Sequence, residues 1–247
     1  MDSLPQDLTK ERLLVVSAHA ADFVWRAGGI IASYAARGAR ARVLCLSYGE
    51  RGESQGLWKK EGMTIERVKE IRHAEAVKAA ETLGAEIRCF NAGDYPLGVT
   101  SELTEELVQE FRGYQPTVVL THTPIDPYNG DHTETSRLTM NARIYAQAMG
   151  YPSEHKHLGA PPVFYFEPHQ TEMCEFKPDV IFDITPVFET KVAAMHCMDA
   201  QVHLWNYYTD TAKRRGTQGG RNSGNPAIVY AEAFQRVYPQ VTTDGLR

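Results

Sequence analysis

A histidine and an aspartate three residues apart stand near the start of this chain, directly after an apolar run. His19 and Asp22 follow Leu13-Leu14-Val15-Val16, which has the pattern of a buried strand. An imidazole nitrogen and a carboxylate oxygen together form a good partial shell for zinc. Backbone hydrogen bonds alone can also satisfy such a pair at a strand end, so the two residues by themselves leave metal binding open.

A second group of polar residues follows another apolar run, 117–121, and ends on Asp131 and His132. If both runs are parallel strands of one sheet, both groups emerge at the edge where open α/β sheets bind ligands. His132 would then complete a His-Asp-His set that leaves positions free for water or substrate, as in catalytic zinc sites. Asp131 would orient one of these ligands, or serve only as the cap of the helix that begins here.

The elements that must position these residues alternate between strand and helix patterns over about the first 150 residues. We predict strands over 13–17, 42–47, 87–90 and 117–121. We predict helices over 26–37, 64–83, 101–114 and 133–149. This alternation is typical of an α/β fold with a doubly wound, mostly parallel, Rossmann-like sheet.

The remaining third of the chain is less regular and is predicted to form an irregular α+β extension. Strands are expected over 162–166 and 180–184, helices over 186–197 and 201–215, and an ordered stretch over 227–237. The Gly- and Asn-rich segment 216–226 is predicted to be a loop. Without an internal repeat or a long linker, residues 1–247 are expected to form one domain, with its core over about 11–150 and the extension over about 151–247.

Composition argues against several classes of protein. A net charge of −5 disfavours a nucleic-acid partner. The polar N-terminus lacks the apolar segment of a signal peptide, and no apolar run approaches the roughly 20 residues of a membrane span. Four well-separated cysteines favour free thiols in a reducing compartment. We therefore expect a cytoplasmic protein that acts on a small molecule, and a homo-oligomer is compatible with the sequence.

Several short motifs stand in order along the chain. They are Ala18-His19-Ala20-Ala21-Asp22, Gly28-Gly29, Gly49-Glu50-Arg51-Gly52-Glu53, a helix with Arg72, Glu75, Ala79, Leu83 and Gly84, and Asp131-His132. Over roughly residues 13–140 they resemble the PIG-L/LmbE-like family of zinc de-N-acetylases. The resemblance implies that fold and a Zn²⁺ ion bound by His19, Asp22 and His132. A site of two histidines and a carboxylate also suits iron or manganese, so the metal's identity stays open.

Two departures from the family pattern decide which chemistry remains open. The deacetylases usually read AHPDDE, whose first Asp is the general base, but Ala21 and Phe23 occupy the Asp and Glu positions here. Their HPDH is replaced by the segment 129–132, which lacks the first histidine. Loss of a general base costs on the order of 10²–10⁴ in rate. The chain is therefore either inactive or moves the proton with another residue.

Longer phrases resemble a hydratase subgroup of the same family over nearly the whole chain. They are SAHAADFVWRAGG, CLSYGERGES, DPYNGDH and APPVFYFEPHQ. This resemblance implies a metal-dependent addition of water to a carbon–carbon double bond of a small polycarboxylate. The rival expectations are a de-N-acetylase whose base has moved to Glu53, and a binding module without activity.

A hydratase needs a base that activates water and a donor that protonates carbon. Glu53 is the first candidate for the base and Glu50 the second, although both residues are also typical of solvated loops. The resemblance makes His169 a proton donor or substrate ligand, with Tyr128 and Tyr165 as weaker candidates. The metal would either bind a substrate oxygen or lower the pKa of a bound water to about 7.

Substrate carboxylates need local positive charge because the chain is net negative, and arginine pairs with carboxylates through two parallel hydrogen bonds. Candidates for substrate contacts are Arg51, Arg72, Arg215, Arg221, Tyr128 and Asn129. Arg72 precedes Glu75 by three residues on one helix, so a structural ion pair is its alternative. Arg221, in the predicted loop, is the better candidate for a closing contact. No role is predicted for His73, His155, His157, His196 or His203.

Overall fold

A computed structural model gives the structure of this protein and describes residues 7–242. The strands are β1 (Arg12–Ser17), β2 (Arg40–Cys45), β3 (Glu86–Cys89), β4 (Val118–Thr121), β5 (Val163–Phe166), β6 (Val180–Asp183) and β7 (Ala231–Arg236). The α-helices are α1 (Asp22–Ala36), α2 (Gln55–Trp58), α3 (Ile65–Leu83), α4 (Ser101–Tyr114), α5 (Gly130–Gln147), α6 (Phe188–Met195) and α7 (Trp205–Ser223). Short 3₁₀ helices span Thr185–Val187 and Asp199–Leu204. The first six residues, on which the signal-peptide expectation partly rests, lie outside the described residues.

The seven strands form one sheet in the order β3-β2-β1-β4-β5-β7-β6. The first five strands pair in parallel, and β7 runs antiparallel to both β5 and β6. This mostly parallel sheet confirms the predicted α/β fold. The order reverses direction between β1 and β4, and ligands of such sheets bind in the crevice beyond the strand ends at this point.

Both faces of β1 are buried, which explains its continuous apolar sequence. Side chains alternate along a strand, so Leu13 and Val15 pack into the core beneath α1, α3 and α6. Leu14 and Val16 pack into the opposite core, beneath α4 and α5. The carboxyl end of β1 is thereby fixed between two helical layers.

Helix α3 shows how local signals set the boundaries of an element. The Thr64 hydroxyl accepts a hydrogen bond from the Arg67 amide, and Gly84 ends the helix at a left-handed φ of 77°. Within the described part of the chain, no helix is both long and apolar enough to cross a membrane. Cys45, Cys89, Cys174 and Cys197 all carry free thiols there, as expected.

The predicted loop over 216–226 is wrong for residues 216–223, because α7 continues to Ser223 and only 224–226 lie outside the helix. A Cβ at Gly216 would lie 2.0 Å from the Val229 carbonyl oxygen, and one at Gly219 would lie 3.0 Å from Ile181 Cγ2. The glycines therefore let α7 pack closely against its neighbours, and this packing overrides their low helix propensity. Helix α1 also begins four residues earlier than predicted, at Asp22.

A buried ion pair joins the middle of α1 to the C-terminal part of the chain. Lys191 Nζ lies 2.6 Å from Glu232 Oε1 and donates a hydrogen bond to the Trp25 carbonyl at 2.9 Å. The Glu232 carboxylate accepts from the amides of Gly29, at 2.7 Å, and Ile30, at 2.8 Å. In a regular α-helix the Gly29 amide would bond to the Trp25 carbonyl. The ion pair thus contacts both the donor and the acceptor of that helical position and ties α1 to α6 and β7.

Candidate active site

Loops that leave the neighbouring strands β1 and β4 bring three histidines and two aspartates together. His19 and Asp22 lie between the end of β1 and the first residue of α1. His122 and Asp126 follow β4, and His132 lies in the first turn of α5. All five side chains are buried. The cluster therefore sits at the reversal point of the sheet.

Asp22 lies at the centre of this cluster. Its Oδ2 is 3.2 Å from His19 Nδ1 and 3.5 Å from His122 Nε2, and its Oδ1 is 3.4 Å from His132 Nε2. The potential ligand atoms fall into two groups, each within 4.8 Å: His19, Glu53 and His132 in one, and Asp22, His122 and His132 in the other. Asp22 thus contacts both predicted histidine ligands, although neither group contains all three predicted ligands, and Glu53 and His122 are two further donors.

In each of the two predicted histidine ligands, one ring nitrogen lies within hydrogen-bond distance of an aspartate carboxylate. His132 Nδ1 lies 2.8 Å from Asp126 Oδ2, while its buried Nε2 has no hydrogen-bond partner in residues 7–242. His19 Nε2 lies 3.2 Å from Asp131 Oδ2, which leaves Nδ1 toward Asp22. Metal-bound histidines characteristically use their second nitrogen in this way. The residues present therefore fit a divalent cation held by His19, Asp22 and His132.

The cap of α5 is Asn129, whose side chain accepts a hydrogen bond from the Asp131 amide. Asp131 itself accepts hydrogen bonds from the amides of Tyr95, at 2.9 Å, and Leu97, at 2.8 Å. These bonds fix its carboxylate against His19. Of the two roles considered for Asp131, the structure therefore supports orientation of His19 rather than capping.

The cluster shifts the pKa values of its members strongly. Burial opposes the charge on His19, but hydrogen bonds to Asp131 and Asp22 and the charges of Asp22 and Glu53 raise its pKa to about 10. Burial opposes the charge on Asp22 as well, yet electrostatic interactions with His132 and His122 and hydrogen bonds to His132 and His19 hold the pKa of Asp22 well below its usual value. Without a metal ion, both ring nitrogens of His19 are therefore protonated at neutral pH and the side chain is positively charged.

Metal affinity is expected to rise with pH between pH 7 and pH 9, by up to about tenfold per unit. The pKa of His19 rises from an ordinary 6.5 to about 10, so across this range a cation must displace a proton from it. Competition with a chelator of known affinity at each pH measures the effect. The Asp131→Asn variant, which lacks the negative partner of His19, should show a weaker pH dependence. An affinity that is constant over the range would contradict this expectation.

The Asp126→Asn substitution is expected to weaken metal binding about 10- to 100-fold. An amide holds His132 Nδ1 less strongly than a carboxylate does, and it no longer makes the opposite nitrogen more basic. Equilibrium competition with a chromogenic chelator measures the change. Asp210→Asn, on an exposed position of α7, is the matched control and should bind metal normally. Equal affinities of the two variants would argue against a role for Asp126 in the site.

A cavity of about 330 Å³ opens beside the cluster. Six residues predicted for the site line it: Asp22, Glu53, Tyr128, Asn129, His132 and His169. It also receives residues for which no role was predicted, among them Arg26, Asp126, Gln201 and His203. The cavity thus connects the cluster of histidines and aspartates with the candidate residues for catalysis and substrate binding.

Glu53 is held by two amides at the edge of this cavity. Its Oε1 accepts a hydrogen bond from Asn129 Nδ2 at 3.1 Å, and its Oε2 accepts one from Gln201 Nε2 at 3.0 Å. Its Oε1 also lies 3.9 Å from His19 Nδ1. Glu53 is therefore an oriented carboxylate beside the cluster of histidines and aspartates and not a freely solvated loop residue.

The structure does not support Glu50 as the alternative base. Glu50 is buried away from the cavity, and its Oε1 lies 3.3 Å from Lys69 Nζ. Its other carboxylate oxygen is buried without a hydrogen-bond partner in the described residues. The loop after β2 thus presents Glu53 to the cavity and turns Glu50 toward α3. Tyr165, on β5, does not line the cavity either.

His169 forms part of the cavity wall and stacks on the ring of Tyr207, with the centroids 4.2 Å apart. Burial lowers the pKa of His169, and the positive charge of Arg26 lowers it further. The imidazole is therefore neutral at pH 7 in the ligand-free protein.

Two of the four predicted arginines are committed to protein partners close to the site. Arg51 is exposed, and its side chain donates to the Asp94 carbonyl at 2.8 Å. Arg72 is fully buried, pairs with Glu75 and donates to Gln201 Oε1 at 2.8 Å. The alternative of a structural ion pair is therefore correct for Arg72. Through Gln201, Arg72 also helps to position Glu53.

The other two predicted arginines lie on α7, outside the cavity. Arg215 forms an ion pair with Glu167, with Nε 2.9 Å from Oε2. Arg221 is exposed in the last turn of the helix, which continues through this part of the predicted loop. None of the four arginines lines the cavity, so these assignments to substrate binding are corrected.

Residues missed by the sequence analysis differ in how easily they could have been found. His122 and Asp126 follow β4 directly, so the rule that identified His19 and Asp22 applies to them as well. Arg26 was missed because the start of α1 was predicted four residues too far along the chain. Gln201 and His203 come from a 3₁₀ helix in the extension, where no motif marks them.

Comparison with known proteins shows two kinds of relative. The family model described as GlcNAc-PI de-N-acetylase, PIG-L, matches residues 14–143. The 4-oxalmesaconate hydratase of Pseudomonas putida is 52% identical over 232 residues, which cover 93% of this chain and 90% of the relative. The diacetylchitobiose deacetylase of Thermococcus kodakarensis is 26% identical over 92% of this chain and 83% of the relative.

Among solved structures, the crystal structure of GalB, the 4-carboxy-2-hydroxymuconate hydratase of Pseudomonas putida, matches with a TM-score of 0.93. It is 51% identical, and the match covers 96% of this chain and all of the other. The irregular C-terminal part is included in this similarity. A relative named as a hydratase and a relative named as a deacetylase thus both match this chain over more than nine tenths of its length.

Proposed function

This chain belongs to the PIG-L family, and from that premise we propose that it is a metal-dependent hydratase acting on 4-carboxy-2-hydroxymuconate (4-oxalomesaconate). The enzyme would add water to a carbon–carbon double bond and give 4-carboxy-4-hydroxy-2-oxoadipate, in gallate and protocatechuate 4,5-cleavage catabolism. Zn²⁺ is the proposed resident ion. The similarity to proteins named as this hydratase over almost the full chain supports the proposal.

The observation that carries the proposal is the alanine at the position of the family's general base. Ala21 is 2% exposed and packs in the same core as Ala20 and Phe23. A methyl group cannot accept a proton, so deacetylation by the family's usual route lacks its base. The carboxylate oriented in the cavity is instead Glu53, which comes from a different loop.

Glu53 activates the water in the proposed reaction. Each of its oxygens accepts one amide hydrogen bond and keeps a lone pair, so the carboxylate can take a proton from water as the water oxygen bonds to carbon. Arg72 and Gln201 restrict its motion and hold it in one position. When bound, a divalent cation at His19, Asp22 and His132 supplies positive charge that polarises an oxygen of substrate or water.

His169 delivers a proton to the neighbouring carbon of the double bond. In the free protein its pKa is lowered by burial and by the charge of Arg26. A bound polycarboxylate brings negative charge next to both residues and raises the pKa of His169. Substrate binding itself thus converts His169 into the protonated donor.

The experiment that tests this function follows the conjugated absorbance of 4-carboxy-2-hydroxymuconate. Protein with a full complement of zinc is expected to remove the absorbance with turnover, and protein stripped with a chelator is expected to do so only after zinc is restored. No change with fully metallated protein would reject the proposal. Identification of the product by mass, one water heavier than the substrate, distinguishes hydration from decay of the substrate.

The second candidate is a de-N-acetylase that uses Glu53 as its base. The proximity of Glu53 to His19 and His132 favours it, as does the similarity to diacetylchitobiose deacetylase. Release of acetate from N,N′-diacetylchitobiose, without hydration of the muconate, would establish this activity in place of the first. A protein that turns over neither substrate would be a binding module.

A further inference from the structure

Arg26 is a buried arginine that lines the cavity with part of its guanidinium unpaired. We propose that Arg26 binds a carboxylate of the substrate and that it is the cationic anchor of this cavity. The inference rests on the proposed function for the identity of the substrate. The test of Arg26 itself requires only a small polycarboxylate that binds in the cavity, and not the proposed substrate.

The environment of Arg26 leaves its Nε without a hydrogen-bond acceptor among the described residues. Its side chain is 5% exposed, and its Nε, 3.5 Å from Asp22 Oδ1, makes no hydrogen bond within residues 7–242. Its Nη1 donates to the Glu167 carbonyl at a long 3.4 Å. A guanidinium has five N–H donors, and buried donors without acceptors are unfavourable. A ligand that brings carboxylate oxygens would supply the missing acceptors.

The charges around the cavity point to the same residue. Among the described residues that line it, Arg26 is the only arginine or lysine, whereas Asp22, Glu53 and Asp126 contribute three carboxylates. The substrate proposed above carries three carboxylates of its own. Repulsion would oppose its binding unless positive charges faced it, and Arg26 and a bound metal ion can provide them without taking up a proton. Arg26 is therefore the one permanently charged side chain available for a carboxylate that the metal does not bind.

The position of Arg26 is fixed before a ligand arrives. It lies one helical turn after Asp22 on α1, and its guanidinium stands over the ring of Phe166 at 5.9 Å from the centroid. The neighbouring Trp25 also lines the cavity and has a buried indole N–H without a partner in the described chain. The fixed guanidinium of Arg26 and the indole N–H of Trp25 beside it together suit the binding of a planar carboxylate.

A purely structural role for Arg26 makes a different prediction. If its function were to hold Asp22, removing it would disturb the metal site, and metal content would fall. If it binds substrate, metal content stays constant and the affinity for carboxylates falls. The two roles are therefore separated by measuring both quantities in the same variant.

The test uses trans-aconitate, a small unsaturated tricarboxylate, as a probe in calorimetric titrations of the zinc-loaded protein. Arg26→Met keeps the apolar stem and is expected to bind the probe about 10- to 100-fold more weakly than the wild type, with zinc content unchanged. Arg26→Lys keeps the charge but loses the fork, so its loss should be smaller. Arg221→Met, at an exposed position outside the cavity, is the matched control and should bind normally.

Equal binding by the wild type and Arg26→Met, including no binding by either protein, would overturn the proposal. Loss of zinc from both Arg26 variants would overturn it in favour of the structural role. If Arg26→Met does not fold, weaker binding by a zinc-loaded Arg26→Lys supports the proposal, and unchanged binding overturns it. Probe binding that depends on Arg26 in a protein without hydratase activity would reject the proposed function alone.

Discussion

Replacing Glu53 with glutamine is expected to lower kcat for hydration by about 10²–10⁴-fold while the zinc content stays unchanged. Glutamine keeps the size of the side chain and one oxygen for hydrogen bonding to Asn129 or Gln201. It cannot take a proton from water, so the loss should appear in kcat and much less in KM. Steady-state kinetics with 4-carboxy-2-hydroxymuconate, combined with elemental analysis of the same preparation, measures both.

The matched control is Glu50→Gln, which changes a glutamate of the same loop that lies outside the cavity. This variant should retain nearly normal turnover. A nearly normal kcat in Glu53→Gln would move the base elsewhere, and an equal loss in both variants would indicate a general disturbance of the loop. Loss of zinc from Glu53→Gln would instead identify Glu53 as a metal ligand, because it belongs to one of the two donor groups.

Replacing His132 with alanine is expected to abolish stoichiometric zinc binding and, with it, measurable hydration. His132 is common to both groups of donor atoms, and its buried Nε2 has no other partner among the described residues. Its loss leaves neither group with three ligands. Elemental analysis after dialysis against a weak chelator measures the zinc that remains.

His157→Ala, at an exposed histidine outside the site, should hold zinc as the wild type does. A His132→Ala protein that still binds one equivalent of zinc would refute the proposed ligand set. Folding of both variants can be compared by far-ultraviolet circular dichroism, so that a loss of zinc through misfolding is recognised. The comparison thus separates loss of a ligand from loss of structure.

Much of the fold follows from local sequence signals. The apolar run of β1 predicts a strand buried on both faces, and the caps of α3 at Thr64 and Gly84 mark a helix almost to the residue. The placement of polar residues after β1 and β4 then predicts which side chains meet, since parallel strands end at the same edge. That rule brings His19, Asp22 and His132 together without knowledge of the C-terminal part.

The substrate-binding side of the site could not be predicted in the same way. An arginine in the sequence can pair with a substrate, but the sequence does not show whether a protein carboxylate already occupies it. Arg215 and its partner Glu167 are 48 residues apart, and Arg72 meets Gln201 across 129 residues. The start of α1 was predicted four residues too late, at residue 26. Arg26 was therefore not placed on the same helix as Asp22, one turn further along. These partners are set by the folded chain and not by local pattern.

The buried ion pair of Glu232 and Lys191 against α1 limits how far this chain could be shortened. Every side chain proposed to bind the metal ion lies within the first 132 residues. The positions of these residues alone would therefore allow a chain truncated at its C-terminus to bind the ion. Yet a chain cut before Ala231 would deprive the Gly29 and Ile30 amides of their acceptor and Lys191 of its counter-charge. Damage would begin in the middle of the helix whose first turn bears Asp22. The last strand thus supports the helix that carries one of the proposed metal ligands.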